Sequence, residues 1–296
     1  MSRISSGIDR VVVVGAGAMG TGIAQVFAAA GKTVVLVDVR PEGLESAISS
    51  LEKILGRQVE RGKMTAESVQ SLLDRITTST DLASVAADAD FAIEAVFERL
   101  DIKLDLIQQL DRSLKDKAII ASNTSSLSIT RLAAASSDPG RVIGMHFFNP
   151  APLMPLVEVV RGLQTTDETA NAVTDLAGEL GKTPIGVNDA PGFAGNRILL
   201  PMINEAIFAL SEGVAERDAI DQVMKLGMGH PMGPLQLADL IGLDVCLDIL
   251  EVLHRDFGED RYRPAPLLRK LVAAGWVGKK QGRGFYHYDA GDLPSE

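Results

Sequence analysis

The stretch from Val11 to Asp38 limits the fold of this chain more than any other part of it. It begins with four consecutive valines, which are typical of a parallel strand covered on both faces. Gly15, Gly17 and Gly20 follow, and then come an apolar helical pattern and a second β-branched run. This order of strand, glycine turn, helix and strand predicts a βαβ unit of the kind that binds dinucleotides.

The glycines and the acid after them have the roles that dinucleotide binding requires. Gly15 permits a tight turn, Gly17 lets backbone amides approach a pyrophosphate, and Gly20 lets the helix lie close to the sheet. Asp38 ends the second strand 23 residues after Gly15, where a carboxylate can accept both hydroxyls of an adenosine ribose. Because it would repel a 2′-phosphate, we expect NAD as the cofactor, while Arg40 leaves NADP open.

Composition excludes several other classes of function. The 296 residues suffice for one large domain or two ordinary ones, and 46% hydrophobic with 23% charged residues is typical of soluble globular proteins. The formal net charge is −10, whereas a nucleic-acid-binding protein carries an excess of basic residues, so this class is not expected. Cys246 is the single cysteine, which excludes internal disulfides and cysteine metal clusters and suits a reducing cytoplasm. No metal-binding motif is present, so we expect no metal.

One uncharged run resembles a membrane span. Residues 11–31 carry no charged side chain and are long enough to cross a bilayer. Five of them are glycines, and the run divides into a strand, a turn and a helix. We therefore expect a chain that does not enter the membrane.

Beyond the first unit, strands and helices alternate and then only helices follow. Apolar spacing predicts helices over Leu44–Arg61 and Ala66–Arg75, a helical hairpin inserted at about residues 42–75. Further strands are predicted at Ile76–Thr78, Phe91–Val96, Ala118–Asn123, Val142–Phe147, Val157–Val160 and Ile185–Val187, and helices at Leu100–Leu114 and Glu168–Leu180. We expect an α/β chain with a Rossmann-type, mainly parallel sheet domain over residues 1–187 and an all-helical C-terminal domain over residues 188–296.

Polar residues collect where the predicted strands end, which is the ligand edge of an open parallel sheet. An enzyme that oxidises an alcohol needs a base for the hydroxyl proton and a donor for the developing carbonyl. His146 closes one strand, and Glu158 in the neighbouring strand could hold its ring; a histidine capped by a backbone carbonyl is the alternative. Ser125 follows another strand, where helix capping is the alternative. Asn196 opens the first helix of the second domain, where a capping or hinge role is the alternative.

Seven strings carry a resemblance that spans nearly the whole chain. They are VVGAGAMGTGIAQVFA, ASNTSSL, GMHFFNP, LVEVV, PGFAGNR, KLGMGHPMGP and GKKQGRGFY, in this order. In these motifs the chain resembles the L-3-hydroxyacyl-CoA dehydrogenase family, in particular its short-chain bacterial 3-hydroxybutyryl-CoA dehydrogenase branch. Seven spaced motifs are far more specific than the glycine turn alone.

The resemblance implies a function and a set of site residues. The function is reversible NAD-linked oxidation of a (3S)-3-hydroxyacyl-CoA, an acyl-CoA thioester, in fatty-acid β-oxidation or in butanoate synthesis. It implies His146 as the catalytic base and Glu158 as its orienting carboxylate, with Ser125 and Asn196 also catalytic. The implied cofactor contacts are Gly15, Ala16, Gly17, Ala18, Met19, Gly20, Asp38, Glu98, Lys103, Ser125, Asn149 and Lys280. The implied substrate contacts are Ser50, Lys53, Ser125 and Asn196.

Two other functions fit the same organisation. The β-hydroxyacid dehydrogenases also join a glycine-turn domain to a helical one, but they use a lysine in the second domain, and PGFAGNRILL has Asn196 with no lysine nearby. A nicotinamide-binding protein without turnover is the other alternative. The helical part is rich in apolar faces for its size, so we expect a homodimer.

Overall fold

The computed structural model describes residues 6–289 and divides into two compact units. The first unit ends at Asp189 and the second begins at Ala190. The sequence placed the change from alternating to purely helical structure at about residue 187. No helix in the part of the chain that the structure describes is long and apolar enough to cross a membrane.

An eight-stranded sheet forms the centre of the first unit. Its strands are β1 (Arg10–Val14), β2 (Thr33–Val37), β3 (Ile76–Ser79), β4 (Phe91–Glu94), β5 (Ile119–Ser122), β6 (Val142–Phe147), β7 (Leu156–Arg161) and β8 (Thr183–Asn188). Their order in the sheet is β3-β2-β1-β4-β5-β6-β7-β8, and every neighbouring pair is parallel except β6 and β7. The first six strands therefore have the order of a dinucleotide-binding sheet, with the ligand crevice where the chain order reverses, between β1 and β4.

Helices connect these strands and cover the sheet. They are α1 (Ala18–Ala29), α2 (Pro41–Glu60), α3 (Ala66–Leu73), α4 (Leu82–Ala86), α5 (Leu100–Ser113), α6 (Ile129–Ala133) and α7 (Asp167–Glu179). The valine run of β1 is buried, as a strand covered on both faces requires. The mainly parallel Rossmann-type sheet expected from the sequence is confirmed, and α2 and α3 are the two helices predicted between β2 and β3.

Two predicted strands are shorter in the structure. The strand predicted over Ala118–Asn123 loses one residue at each end, since β5 covers Ile119–Ser122. The sequence predicted a strand over Phe91–Val96, but β4 ends at Glu94. The amide of Val96 donates a hydrogen bond to Oε2 of Glu94 at 3.2 Å instead of continuing the ladder. The strand therefore ends at the carboxylate itself.

Over its described residues the second unit is built of helices, as the sequence predicted, apart from the isolated bridges Gly278–Arg283 and Arg283–His287 near its end. Its helices are α8 (Gly195–Ser211), α9 (Arg217–Gln222), α10 (Pro234–Ile241), α11 (Leu243–Phe257) and α12 (Pro266–Ala273). They pack around a core that includes Leu200, Ile203 and Leu250. Cys246 is buried in this core, and burial raises the pKa of its thiol to about 12, so it is an inert packing residue.

Candidate active site

Two glycines where β1 passes into α1 admit no side chain, Gly15 in the turn and Gly20 in the first turn of the helix. Gly15 has a φ of +106°, and a Cβ there would lie 2.7 Å from the carbonyl oxygen of Ala95. A Cβ on Gly20 would lie 1.7 Å from the carbonyl oxygen of Gly15. At Gly17, by contrast, a Cβ would meet no atom of the described residues within 4 Å. The turn is therefore closed on its sheet side and open at Gly17.

The open side of this turn fits the pyrophosphate of a dinucleotide. Gly17 is the N-cap of α1 without a side-chain cap, and the first turn of the helix, which starts at Ala18 and Met19, contains no acidic residue. Its first backbone N–H groups and the positive end of the helix dipole are suited to an anion. The geometry thus matches the NAD expected from the sequence.

Asp38 is fixed beside the same turn by backbone groups. Its Oδ2 accepts a hydrogen bond from the amide of Ala16 at 2.9 Å, and its Oδ1 accepts one from the amide of Arg40 at 3.0 Å. Each carboxylate oxygen has a further lone pair, so Asp38 can still accept the hydroxyls of a ribose. The predicted cofactor residues from Gly15 to Gly20 and Asp38 therefore lie together.

Glu98 holds the loop after β5, here called the serine loop (residues 123–127). Its Oε1 accepts hydrogen bonds from the amides of Ser125 at 2.9 Å and Ser126 at 3.1 Å. Burial alone would raise the pKa of Glu98, but the charge of Lys103 and the hydrogen bonds from the loop outweigh burial and lower it. Glu98 is therefore ionised at neutral pH and fixes the backbone that carries Ser125.

Lys103 is buried in the first unit, and the carboxylates of Glu94 and Glu98 connect it to the ligand edge of the sheet. Its side chain is 1% exposed, and its Nζ lies 2.7 Å from Oε2 of Glu94 and 3.3 Å from Oε2 of Glu98. The sequence singled out Lys103 but did not find its partner Glu94. Two signals were available: Glu94 ends the apolar run FAIE, and Lys103 is in line with Leu106 and Leu110 on the buried face of α5.

His146 and Glu158 face each other across the antiparallel pair of β6 and β7. They are register partners, and Nδ1 of His146 lies 2.8 Å from Oε2 of Glu158. Both side chains are buried, and the ring of Phe148 lies 4.7 Å from the imidazole between centroids. Nδ1 of His146 therefore lies within hydrogen-bond distance of a carboxylate.

Two further side chains fix the end of β6 and the loop that follows it. Oδ1 of Asn123, in the serine loop, accepts a hydrogen bond from the amide of Phe147 at 2.9 Å. Nζ of Lys182 donates to three carbonyl oxygens of the loop after β6, the nearest that of Ala151 at 2.6 Å. Asn149, a predicted cofactor contact, is exposed in this loop. The contacts of Asn123 and Lys182 were not predicted from the sequence, because they join distant segments of the chain.

Four predicted site residues belong to elements outside the sheet. Ser50 and Lys53 are exposed on α2. Asn196 lies half-buried in the first turn of α8. Lys280 follows α12, and its Nζ pairs with Oδ2 of Asp244 at 2.6 Å. Asn196 and Lys280 are thus residues of the second unit, and the other two belong to the first.

Two family models together match almost the whole chain. The model of the 3-hydroxyacyl-CoA dehydrogenase NAD binding domain matches residues 10–190. The model of the 3-hydroxyacyl-CoA dehydrogenase C-terminal domain matches residues 192–288. The chain belongs to the 3-hydroxyacyl-CoA dehydrogenase family. The resemblance found in the seven strings is confirmed, and this dehydrogenase is an NAD-dependent oxidoreductase.

Individual members of the 3-hydroxyacyl-CoA dehydrogenase family match this chain over nearly their full length. A "Probable 3-hydroxybutyryl-CoA dehydrogenase" of Bacillus subtilis is 56% identical over 282 residues, which are 95% of this chain and 98% of that protein. A 3-hydroxybutyryl-CoA dehydrogenase of Bradyrhizobium diazoefficiens is 51% identical over 281 residues, 95% of this chain and 96% of that protein. The crystal structure of (S)-3-hydroxybutyryl-CoA dehydrogenase from Ralstonia eutropha has a TM-score of 0.92 at 49% identity and covers 95% of this chain and 99% of its own.

Proposed function

We propose that this 3-hydroxyacyl-CoA dehydrogenase interconverts (3S)-3-hydroxybutyryl-CoA and acetoacetyl-CoA with NAD. The observation that carries the proposal is the 2.8 Å contact between His146 and Glu158 at the ligand edge of a dinucleotide-binding sheet. The substrate follows the names of relatives that are 51% and 49% identical to this chain.

The pair of His146 and Glu158 acts as the general base. The Nδ1–H group of His146 donates a hydrogen bond to Glu158, and Nε2 of the same ring takes the proton of the 3-hydroxyl group. The carboxylate of Glu158 keeps the ring oriented and stabilises the imidazolium that forms. NAD, when bound, would supply the acceptor for the hydride that leaves C3 with two electrons, and the C–O single bond would become a carbonyl. In the reductive direction, His146 returns its proton to the same oxygen.

Ser125 and Asn196 bind the oxygens of the substrate in this proposal. The backbone of Ser125 is fixed by Glu98, and its hydroxyl, which donates weakly to Oε1 of Glu98 at 3.4 Å, turns to donate to the developing carbonyl. Asn196 offers an amide from the first turn of α8. Lys53, exposed on α2 with Ser50, supplies a cation for the phosphates of CoA.

The remaining cofactor contacts are proposed from the same family motifs. Glu98 and Asn149 lie in the loops that follow the carboxyl ends of β4 and β6, which is the ligand edge of this sheet. Lys103 acts through Glu98. Lys280, in the second unit, is proposed as a cation for the cofactor.

We also propose that the enzyme is a cytoplasmic homodimer. Several large apolar side chains of the second unit are exposed, among them Val223, Leu226 and Met228 within six residues. Exposed apolar residues that lie this close together are typical of a surface that a second subunit covers. The single, buried cysteine suits a reducing compartment.

The reaction is tested with the purified protein, acetoacetyl-CoA and NADH, followed by the loss of NADH absorbance. We expect turnover with NADH that exceeds turnover with NADPH at least about tenfold in kcat/KM, because Asp38 repels the 2′-phosphate. Free 3-hydroxyisobutyrate with NAD serves as the control substrate and should not react. Turnover of the free acid without turnover of the thioester would overturn the proposal.

A further inference from the structure

A glutamate at the end of β4 is the polar group of the first unit that most needs an explanation. The side chain of Glu94 is 0% exposed, and that of its partner Lys103 is 1% exposed. Buried ion pairs add little to stability, because the desolvation of both charges cancels most of their attraction, and apolar residues of similar size often replace them without loss. The pair is therefore better explained by what it holds in place.

One chain of contacts leads from Glu94 to the serine loop through the lysine. Nζ of Lys103 lies 2.8 Å from Oε1 and 2.7 Å from Oε2 of Glu94, so it is held by both oxygens. The same ammonium pairs with Glu98, whose Oε1 accepts the amides of Ser125 and Ser126. The position of Glu98, and with it the position of the loop, thus depends on where Glu94 holds the lysine.

A second chain of contacts leads from Glu94 to the same loop through the neighbouring strand. Glu94 and Ser122 are register partners in the parallel pair of β4 and β5, and Oγ of Ser122 donates a hydrogen bond to Oε1 of Glu94. The amide of Thr124 in turn donates to Oγ of Ser122 at 3.1 Å. One buried carboxylate is therefore linked to three consecutive amides, those of Thr124, Ser125 and Ser126.

We propose that Glu94 is a positioning residue that sets the place of the Ser125 hydroxyl. It acts through Lys103 and Glu98 on one side and through Ser122 on the other. Because it is fully buried, Glu94 contacts neither substrate nor cofactor. The proposal rests on the role of Ser125 in the proposed function.

Two variants and one control separate positioning from stability. Glu94→Gln keeps the shape and removes the charge, but loss of one partner of a buried pair is strongly destabilising. The double variant Glu94→Gln/Lys103→Met removes both buried charges and leaves Glu98, whose side chain is 38% exposed, held by the amides of the serine loop. Asp111→Asn is the control, because Asp111 is a carboxylate of the same unit that is buried against Arg141 at 2.8 Å and bonds to Ser136 and not to the serine loop.

The first measurement is amide hydrogen exchange of residues 123–127 without any ligand. We expect exchange about tenfold faster in both Glu94 variants, because the acceptors of these amides are no longer fixed. The control should leave this segment unchanged. Unchanged exchange in both Glu94 variants would overturn the proposal, whatever the activity of the protein.

The second measurement is a kinetic cycle with Ser125→Ala. We expect the Glu94 variants to lower kcat about tenfold with the KM for acetoacetyl-CoA within about threefold, because the loss concerns the reacting oxygen. In the Ser125→Ala background, the Glu94 substitution should cost nothing further. Losses that multiply, or a kcat that does not change, would overturn the positioning role. A wild-type protein without turnover would instead remove the proposed function, and hydrogen exchange would still decide whether Glu94 holds the loop.

Discussion

At the scale of single residues, two glycines of the cofactor turn have opposite surroundings. A Cβ on Gly20 would overlap the backbone of Gly15 at 1.7 Å, whereas one on Gly17 would meet nothing within 4 Å in the described chain. The backbone of Gly17, with φ of −74°, is accessible to any residue. The fold therefore requires a glycine at position 20, and the ligand requires one at position 17.

This difference predicts two separable outcomes of the same substitution. Gly20→Ala should lower the free energy of unfolding by about 1–3 kcal/mol, because backbone atoms must move apart. Gly17→Ala should leave the free energy of unfolding within about 1 kcal/mol of wild type and weaken NADH binding, because the new methyl group occupies the space of the pyrophosphate. Urea unfolding and fluorescence titration with NADH measure the two effects. Wild-type NADH affinity in Gly17→Ala would contradict the assignment of the turn.

At the scale of elements, Asp111 and Arg141 connect the end of α5 to the starts of β5 and β6. Nη2 of Arg141 pairs with Oδ1 of Asp111 at 2.8 Å, and Nη1 donates to the carbonyl of Lys115 at 2.7 Å. Burial alone would raise the pKa of Asp111, but the hydrogen bonds from Arg141, Ser136 and Ser137 outweigh it and hold that pKa well below its usual value. The charged form of Asp111 is therefore the one that the folded state stabilises.

A lowered pKa in the folded state predicts a stabilisation that depends on pH. The contribution of Asp111 is fully present above the usual value of 3.8 and is lost as the pH falls below it, through the lower folded value. Asp111→Asn should cost about 3 kcal/mol at neutral pH, because it leaves Arg141 buried without its partner. Urea unfolding of both proteins over acidic pH should show the difference shrinking as the pH falls. A difference that stays constant with pH would contradict this account of the ion pair.

The elements also show what the sequence could predict and what it could not. Local rules sufficed for β6, predicted at Val142–Phe147 and observed there, because an apolar run between turn residues needs no tertiary information. The same rules extended β4 past Glu94, since they do not include the carboxylate that captures the amide of Val96. The pairing of Glu94 with Lys103 was missed because it depends on which face of α5 packs inward.

In the candidate site, too, local patterns predict some features and tertiary contacts determine the others. His146 and Glu158 could be paired from sequence, because neighbouring strands bring residues at their ends together and the family motifs mark both positions. For Asn123, the hydrogen bond that its Oδ1 accepts from the amide of Phe147 could not be predicted in this way. Its contact joins the ends of two strands through one side chain, and strand patterns carry no information about such contacts.

At the scale of the whole molecule, the exposed apolar residues of the second unit predict a dimer. Sedimentation equilibrium should give a mass twice that of the 31.5 kDa chain. Leu226→Asp should shift the protein toward the monomer, because Leu226 is 83% exposed among other apolar residues. Leu163→Asp is the matched control, since Leu163 is 86% exposed in the first unit and should leave the mass unchanged. A monomeric wild type would contradict the proposed assembly.

The central claim is that His146 exchanges the proton of the substrate while Glu158 holds its ring. The measurement that tests it most directly is kcat of His146→Gln with acetoacetyl-CoA and NADH, compared with wild type. The account predicts a kcat lower by roughly a hundred- to ten-thousand-fold, the usual contribution of a positioned general acid or base. It also predicts that the Kd for NADH stays within about threefold of wild type, because the glycine turn is untouched. A kcat within about threefold of wild type would contradict the claim.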